Sequence, residues 1–224
     1  MMNNQIDASA FSYSLEIYEE EFKFILAGIT ACYNIMINDR VTVVNDENKI
    51  RDVFKKDYLD NSSIRDMIGF TDNYHFERET PEDNDLGRVD IKIITRNTLK
   101  NPEAYYIIEC KRLDSANLTG NTGLNAKYIT DGIKRFVERK YSAYYRINGM
   151  IGFIVEHLDI DANITNINSL LEKKFCDANA ITFLTFINFI KDFKYQYYSV
   201  HKDINNKKIK LYHLMFDFSN NLRV

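Results

Sequence analysis

Apolar residues fall at helical spacing over residues 13–36, where Leu15, Ile17, Phe22, Phe24 and Ile25 mark an amphipathic helix. That helix packs on a sheet or carries a dimer contact. Val41 to Val44 is a short apolar connector, and a second helix runs from Asp46 to about Leu59. Asn45 is placed to cap it, Asp46 and Glu47 fall in its first turn, and Ile50, Val53, Phe54 and Tyr58 give it a buried face. After a polar break at residues 60–63 comes a short helix ended by Gly69. The pattern then changes to strand: Tyr74 to Glu79, Val89 to Thr95, and Ala104 to Cys110. Thr80 to Leu86 is an acidic loop containing Pro81. A helix over 128–136 and an apolar strand over 149–155 come next. Further on, Ile164 to Phe175 reads as helix, Ile181 to Phe193 as helix or buried strand, and Tyr195 to His201 with Lys208 to Phe218 as a hairpin.

The chemistry concentrates where two of these strands meet. The segment Arg96 to Pro102 is polar and ends in Asn-Pro, a turn signal, so the flanking runs form an antiparallel hairpin. Asp90 and Glu109 are equidistant from the step between Leu99 and Lys100, so a symmetric hairpin sets them opposite each other. Glu109 and Lys111 share a strand face, with Cys110 on the other. Two facing carboxylates in a partly buried place repel unless a cation intervenes. Lys111 supplies one charge. Oxygen ligands suit Mg²⁺, or Mn²⁺ in its place, better than zinc.

Asp90, a spacer, and then Glu109-Cys110-Lys111 after an apolar strand resembles the PD-(D/E)xK nuclease superfamily, which includes restriction endonucleases and many repair and defence nucleases. Val89 stands where the family name has Pro, a residue many members lack. The resemblance spans roughly Glu47 to Val155. It implies an α/β fold with a restriction-endonuclease-like mixed central β-sheet flanked by helices. It further implies that Asp90, Glu109 and the Cys110 main-chain carbonyl hold the metal, that Lys111 orients or activates the attacking water, and that Glu47 is the acid of the preceding helix. The helix after the motif lysine commonly lies beside the site, which makes Lys134, Arg135, Arg139 and Lys140 candidates for phosphate contacts. The implied activity is metal-dependent hydrolysis of phosphodiester bonds in nucleic acid, most simply DNA, in a prokaryotic restriction or phage-defence setting. The alternative is a nuclease-like module that binds nucleic acid or protein without cutting.

The chain's 224 residues suffice for one substantial core, read as a single nuclease-like domain with motif region 45–157 and with 13–36 and 160–224 as additions. Its formal charge of −3 implies weak metal-free binding to nucleic acid and leaves room for a separate sensor or targeting protein, while a homodimer suits double-strand cutting by two symmetric sites. The three cysteines form neither a zinc pattern nor a disulfide framework. No signal peptide or spanning segment is visible, so the expectation is a cytoplasmic chain with no membrane partner. Richness in Asn, Ile, Lys and Tyr resembles the usage of AT-rich bacterial and phage genomes. Gly120 to Gly123 lacks the lysine of a phosphate-binding loop. Of the four histidines, His75 lies in the first strand and could approach the site, whereas His213 packs or hydrogen-bonds.

Overall fold

Alternation along β3 (Tyr105–Leu113) and β4 (Ile147–Ile154) sends apolar side chains to both faces, and both strands are buried almost throughout. Strands covered on both sides belong at the centre of a sheet with helices on each face. The computed structural model describes residues 9–70, 73–81, 88–141 and 144–223, with side chains described from residue 16 onward except 79–81 and 88. Leu15, the acidic loop from residue 82 onward and Ser142 lie outside that description.

Seven strands form one mixed sheet in the order β1-β2-β3-β4-β7-β6-β5, where β1 is His75–Pro81, β2 Arg88–Ile94, β5 Ala180–Phe186, β6 Gln196–Lys202 and β7 Lys208–Asp217. The strands β1, β2 and β3 pair antiparallel; β3, β4 and β7 run parallel; β7, β6 and β5 return to antiparallel pairing. The C-terminal segment therefore supplies three strands, and β7 lies beside β4 at the sheet centre. No described helix is long and apolar enough to cross a membrane.

One face is covered by α1 (Ser9–Asn38), α2 (Glu47–Val53), which continues as π-helix through Leu59, and α3 (Ser62–Met67). Phe22, Ile25, Ile50 and Phe54 join Ile108, Ile151 and Phe216 in its core. The other face is covered by a helix made of α4 (Leu124–Tyr128), a π-helical segment Ile129–Ile133 and α5 (Lys134–Val137), together with α6 (Ile160–Lys173). There Tyr128, Ile133 and Ile167 pack with Ile107, Met150 and Met215.

Several expectations change on folding. Ile17 and Phe24 are half exposed, while Phe22 and Ile25 carry the buried face of α1. Asp46, rather than Asn45, caps α2: its side chain accepts from Lys49 N at 2.9 Å, and Asn45 instead accepts from Arg112. The apolar run from Ile181 is neither helix nor buried strand but the edge strand β5, with Ile181, Phe183 and Phe186 exposed. His75 pairs with Ile94 at the far end of β1 from Asp90 and is exposed, so it does not approach the site.

Gly132 sets how closely the π-helical segment packs on the sheet. A Cβ there would lie 2.5 Å from Met150 Cε and 3.5 Å from Lys111 Cγ, so its bare backbone lets the wide turn close on the strand that carries Lys111. Turns of this kind often occur at functional sites.

Candidate active site

The hairpin register is the symmetric one. Ile91 pairs with Ile108, Lys92 with Ile107, Ile93 with Tyr106 and Ile94 with Tyr105. The ladder stops one step short of Asp90 and Glu109, because β2 parts from β3 there. Within a strand, the N–H and C=O of one residue point to the same side, so this parting exposes the N–H and C=O of Cys110 and the N–H of Arg112. Each finds a charged side chain. The Cys110 N–H donates to Asp90 Oδ2 at 2.8 Å, and the Arg112 N–H donates to Glu47 Oε2 at 3.0 Å. The Cys110 carbonyl accepts from Lys111 Nζ at 2.8 Å.

Lys111 Nζ sits at the centre of this arrangement. It lies 2.8 Å from Glu109 Oε1, 3.0 Å from Glu47 Oε1 and 3.7 Å from Asp90 Oδ2, besides its bond to the carbonyl. Burial pulls the pKa of this ammonium down, and the carboxylates of Glu109, Asp90 and Glu47 more than reverse it, so the net shift is upward. Lys111 is therefore a fixed positive charge.

Glu109 is fully buried. Its Oε1 also accepts from Arg135 Nη1 at 3.1 Å, and its Oε2 accepts from the Tyr141 hydroxyl at 2.6 Å. Desolvation first, and then the charge of Asp90, push its pKa up to about 7 despite Lys111 and Arg135. Asp90 is held on its other side by Arg51, whose Nη1 donates to Oδ1 at 2.7 Å. The same guanidinium reaches Asp52, which in turn pairs with Arg78. The Cys110 thiol points away from the acids, and burial raises its pKa well above the ordinary value, so it stays protonated.

Glu47, Asp90, Glu109, the Cys110 carbonyl and Lys111 are thus brought together. Of the four cations expected to touch phosphate, only Arg135 is part of this cluster. Lys134 pairs with Asp177 and Glu138, Lys140 with Glu138, and Arg139 approaches Asp203. No protein-family model, curated protein or solved structure matches this chain.

Two members of the cluster were not anticipated. Arg51 lies four residues after Glu47, one helical turn on, so the shared α2 face was a usable signal. Tyr141 comes from the connection after α5 and has no local signal. The cluster opens to solvent through a cleft lined by Asp46, Glu47, Lys111, Arg112, Lys127, Asp131 and Arg135, among others.

The arrangement can be tested against a hard cation by its donors. All the donors around Lys111 Nζ are oxygens, three carboxylates and one main-chain carbonyl, which is the donor class that Mg²⁺ and Mn²⁺ prefer. As they stand, however, the acids are spread around the ammonium: among the described residues, no group of three or more His, Cys, Asp or Glu is close enough to hold a metal ion. The donor set fits, and the side chains must draw in to use it.

Proposed function

We propose that this chain is a metal-dependent nuclease of the PD-(D/E)xK type, with a restriction-endonuclease-like α/β core, that hydrolyses phosphodiester bonds. DNA cleavage in a prokaryotic restriction or phage-defence setting is the reading we favour. The observation that carries it is the convergence of Glu47, Asp90, Glu109 and the Cys110 carbonyl on the Lys111 ammonium. The element order adds support: an acid-bearing helix, a strand, an acid-bearing strand, an acid-x-Lys strand, a basic helix and a parallel apolar strand.

Asp90, Glu109 and the Cys110 carbonyl would hold Mg²⁺, with Glu47 beside them. Bound there, the ion supplies Lewis acidity, lowering the pKa of a water and offsetting charge on the phosphate. Lys111 contributes a permanent positive charge close to where the phosphate's negative charge grows, and orients a water by donating to it. Arg135, on the cleft wall, suits planar recognition of a phosphate. Asp90 and Glu109, buried beside the ammonium, form a water-poor setting in which these charges act strongly.

The test is an assay of purified protein on supercoiled, linear and single-stranded DNA and on RNA with Mg²⁺ or Mn²⁺. Asp90→Ala and Lys111→Ala are expected to abolish cleavage while the protein stays folded by circular dichroism. Folded variants that cut as well as wild type would refute the assignment. The pairing of each acid with Lys or Arg favours one other reading, a nuclease-like binding module that does not cut. That reading requires Mn²⁺ to leave the melting temperature unchanged even beside a non-hydrolysable oligonucleotide, whereas the nuclease reading requires a rise there.

A further inference from the structure

Three carboxylates, Glu47, Asp90 and Glu109, face three cations, Lys111, Arg51 and Arg135, within one network of direct contacts. Among the described residues the network is formally neutral, and the Asp52–Arg78 pair that adjoins Arg51 leaves it so. A neutral cluster in a low-dielectric place attracts a divalent cation weakly, and two added charges would sit beside three existing ones. Entry of a cation therefore calls for one positive group to leave. The exposures of the three differ: the side chain of Arg51 is 2% exposed, that of Lys111 10% and that of Arg135 32%. Arg51 is buried on the inner side of α2 and also holds Asp52. Lys111 is held by the oxygens around it. Arg135 lines the cleft and is the most exposed of the three; a single nitrogen, Nη1, holds it here, donating to Glu109 at 3.1 Å and to the Tyr141 hydroxyl at 2.8 Å.

We propose that Arg135 is an exchangeable counter-ion: a nucleic-acid phosphate entering the cleft draws its guanidinium off Glu109, and the freed carboxylate takes the divalent cation. Substrate and cation then bind with positive coupling. This rests on the nuclease reading and adds a regulatory consequence to it, namely that the protein holds its cation weakly until substrate arrives. Glu109 is not left bare in the exchange, because Lys111 and Tyr141 still donate to it. The guanidinium moves to an anion it can grip through two parallel N–H groups, a geometry its single contact to Glu109 does not use. Thermodynamic linkage requires the coupling to be reciprocal.

The experiment measures free Mn²⁺ by electron paramagnetic resonance while wild-type protein is titrated with and without a phosphorothioate-backbone oligonucleotide, which resists hydrolysis. The expected result is a Kd for Mn²⁺ lower by roughly tenfold with saturating oligonucleotide, and the same factor in the Kd for oligonucleotide with saturating Mn²⁺. Arg135→Gln is expected to take up Mn²⁺ more tightly than wild type by itself and to bring the ratio close to one. Arg135→Lys keeps the charge without the fork and is expected to fall between. Wild type that binds both ligands with a ratio of one, or Arg135→Gln that retains the wild-type ratio, overturns the exchange and leaves the nuclease reading standing. Wild type that takes up no Mn²⁺ in either condition overturns both. The reciprocity measurement needs no variant, so it stands even if Arg135→Gln does not fold.

Discussion

The buried guanidinium of Arg51 donates to Asp90 Oδ1 at 2.7 Å, and Asp90 Oδ2 accepts the main-chain N–H of Cys110 at 2.8 Å. Both oxygens of one acid are thus fixed, one by a helix and one by the neighbouring strand. Arg51 is 1% exposed, so removing it strands a carboxylate rather than returning it to water. Arg51→Met is expected to cost about 3–5 kcal/mol, measured by urea denaturation. Adding Asp90→Asn should recover a large part of the loss, because the amide carries no charge to strand. If the double variant is no more stable than the single, the pair does not act as a unit.

The two buried histidines form a chain whose direction can be derived. The Ala178 carbonyl can only accept, so His201 Nδ1 carries a proton and His201 Nε2 accepts from the Ser199 hydroxyl. Ser199 Oγ then accepts from His213 Nε2–H, and His213 Nδ1 accepts from the Tyr128 hydroxyl. Every member is satisfied only while both rings are neutral. Burial lowers the His201 pKa from 6.5 to about 4 and takes His213 well below its ordinary value. The unfolded chain therefore binds more protons than the folded one between those pH values. The His201 contribution is complete above about pH 6.5, declines as pH falls, and levels off below about pH 4. That decline amounts to about 3 kcal/mol. Chemical denaturation from pH 7.5 to 4 checks it. Replacing both rings, as in His201→Gln with His213→Gln, should remove this decline from the difference between wild type and variant, in which the opposite slope from the raised Glu109 pKa cancels, and an unchanged slope would exclude the histidines as its source.

Lys127 is exposed, lines the cleft and has no ion-pair or hydrogen-bond partner for its side chain among the described residues. It lies eight residues, about two helical turns, before Arg135 on the same helix. Under the nuclease reading, Lys127→Gln should weaken oligonucleotide binding across sequences and reduce the slope of log affinity against log salt by about one. Lys134→Gln should change the slope far less, because that ammonium already pairs with Asp177 and Glu138. Fluorescence anisotropy over a salt series measures both, and equal slopes would remove the distinction.

The edge strand β5 leaves Ile181, Phe183 and Phe186 exposed on a sheet margin. Edges of this kind promote pairing between chains. Ile181→Lys should raise solubility on concentration while changing stability by no more than about 0.5 kcal/mol. Light scattering together with thermal melting reads both, and unchanged aggregation would show that this edge is already protected.

The sequence alone carried the hairpin register, because turn chemistry at 96–102 and two strands of matched length leave one symmetric pairing. It also carried Asp90, Glu109 and Lys111, because hairpin pairing and strand alternation are local rules; Glu47 came only through the family resemblance, since it meets Lys111 across sixty-four residues. The order of elements up to β4 was legible for the same reason. Tertiary structure decided the rest. No local pattern says that β7 inserts beside β4, or that the apolar run at Ile181 lies on an edge, since burial there depends on which strands arrive from elsewhere. Asp46 outranked Asn45 as a cap once Asn45 was claimed by Arg112, sixty-seven residues away. Above all, three cations compensate the acids, and two of them, Arg51 and Arg135, come from separate helices on opposite faces of the sheet. Only the fold brings those charges within 3.1 Å of Asp90 and Glu109, because the attraction that fixes them depends on distance in space and on the absence of water.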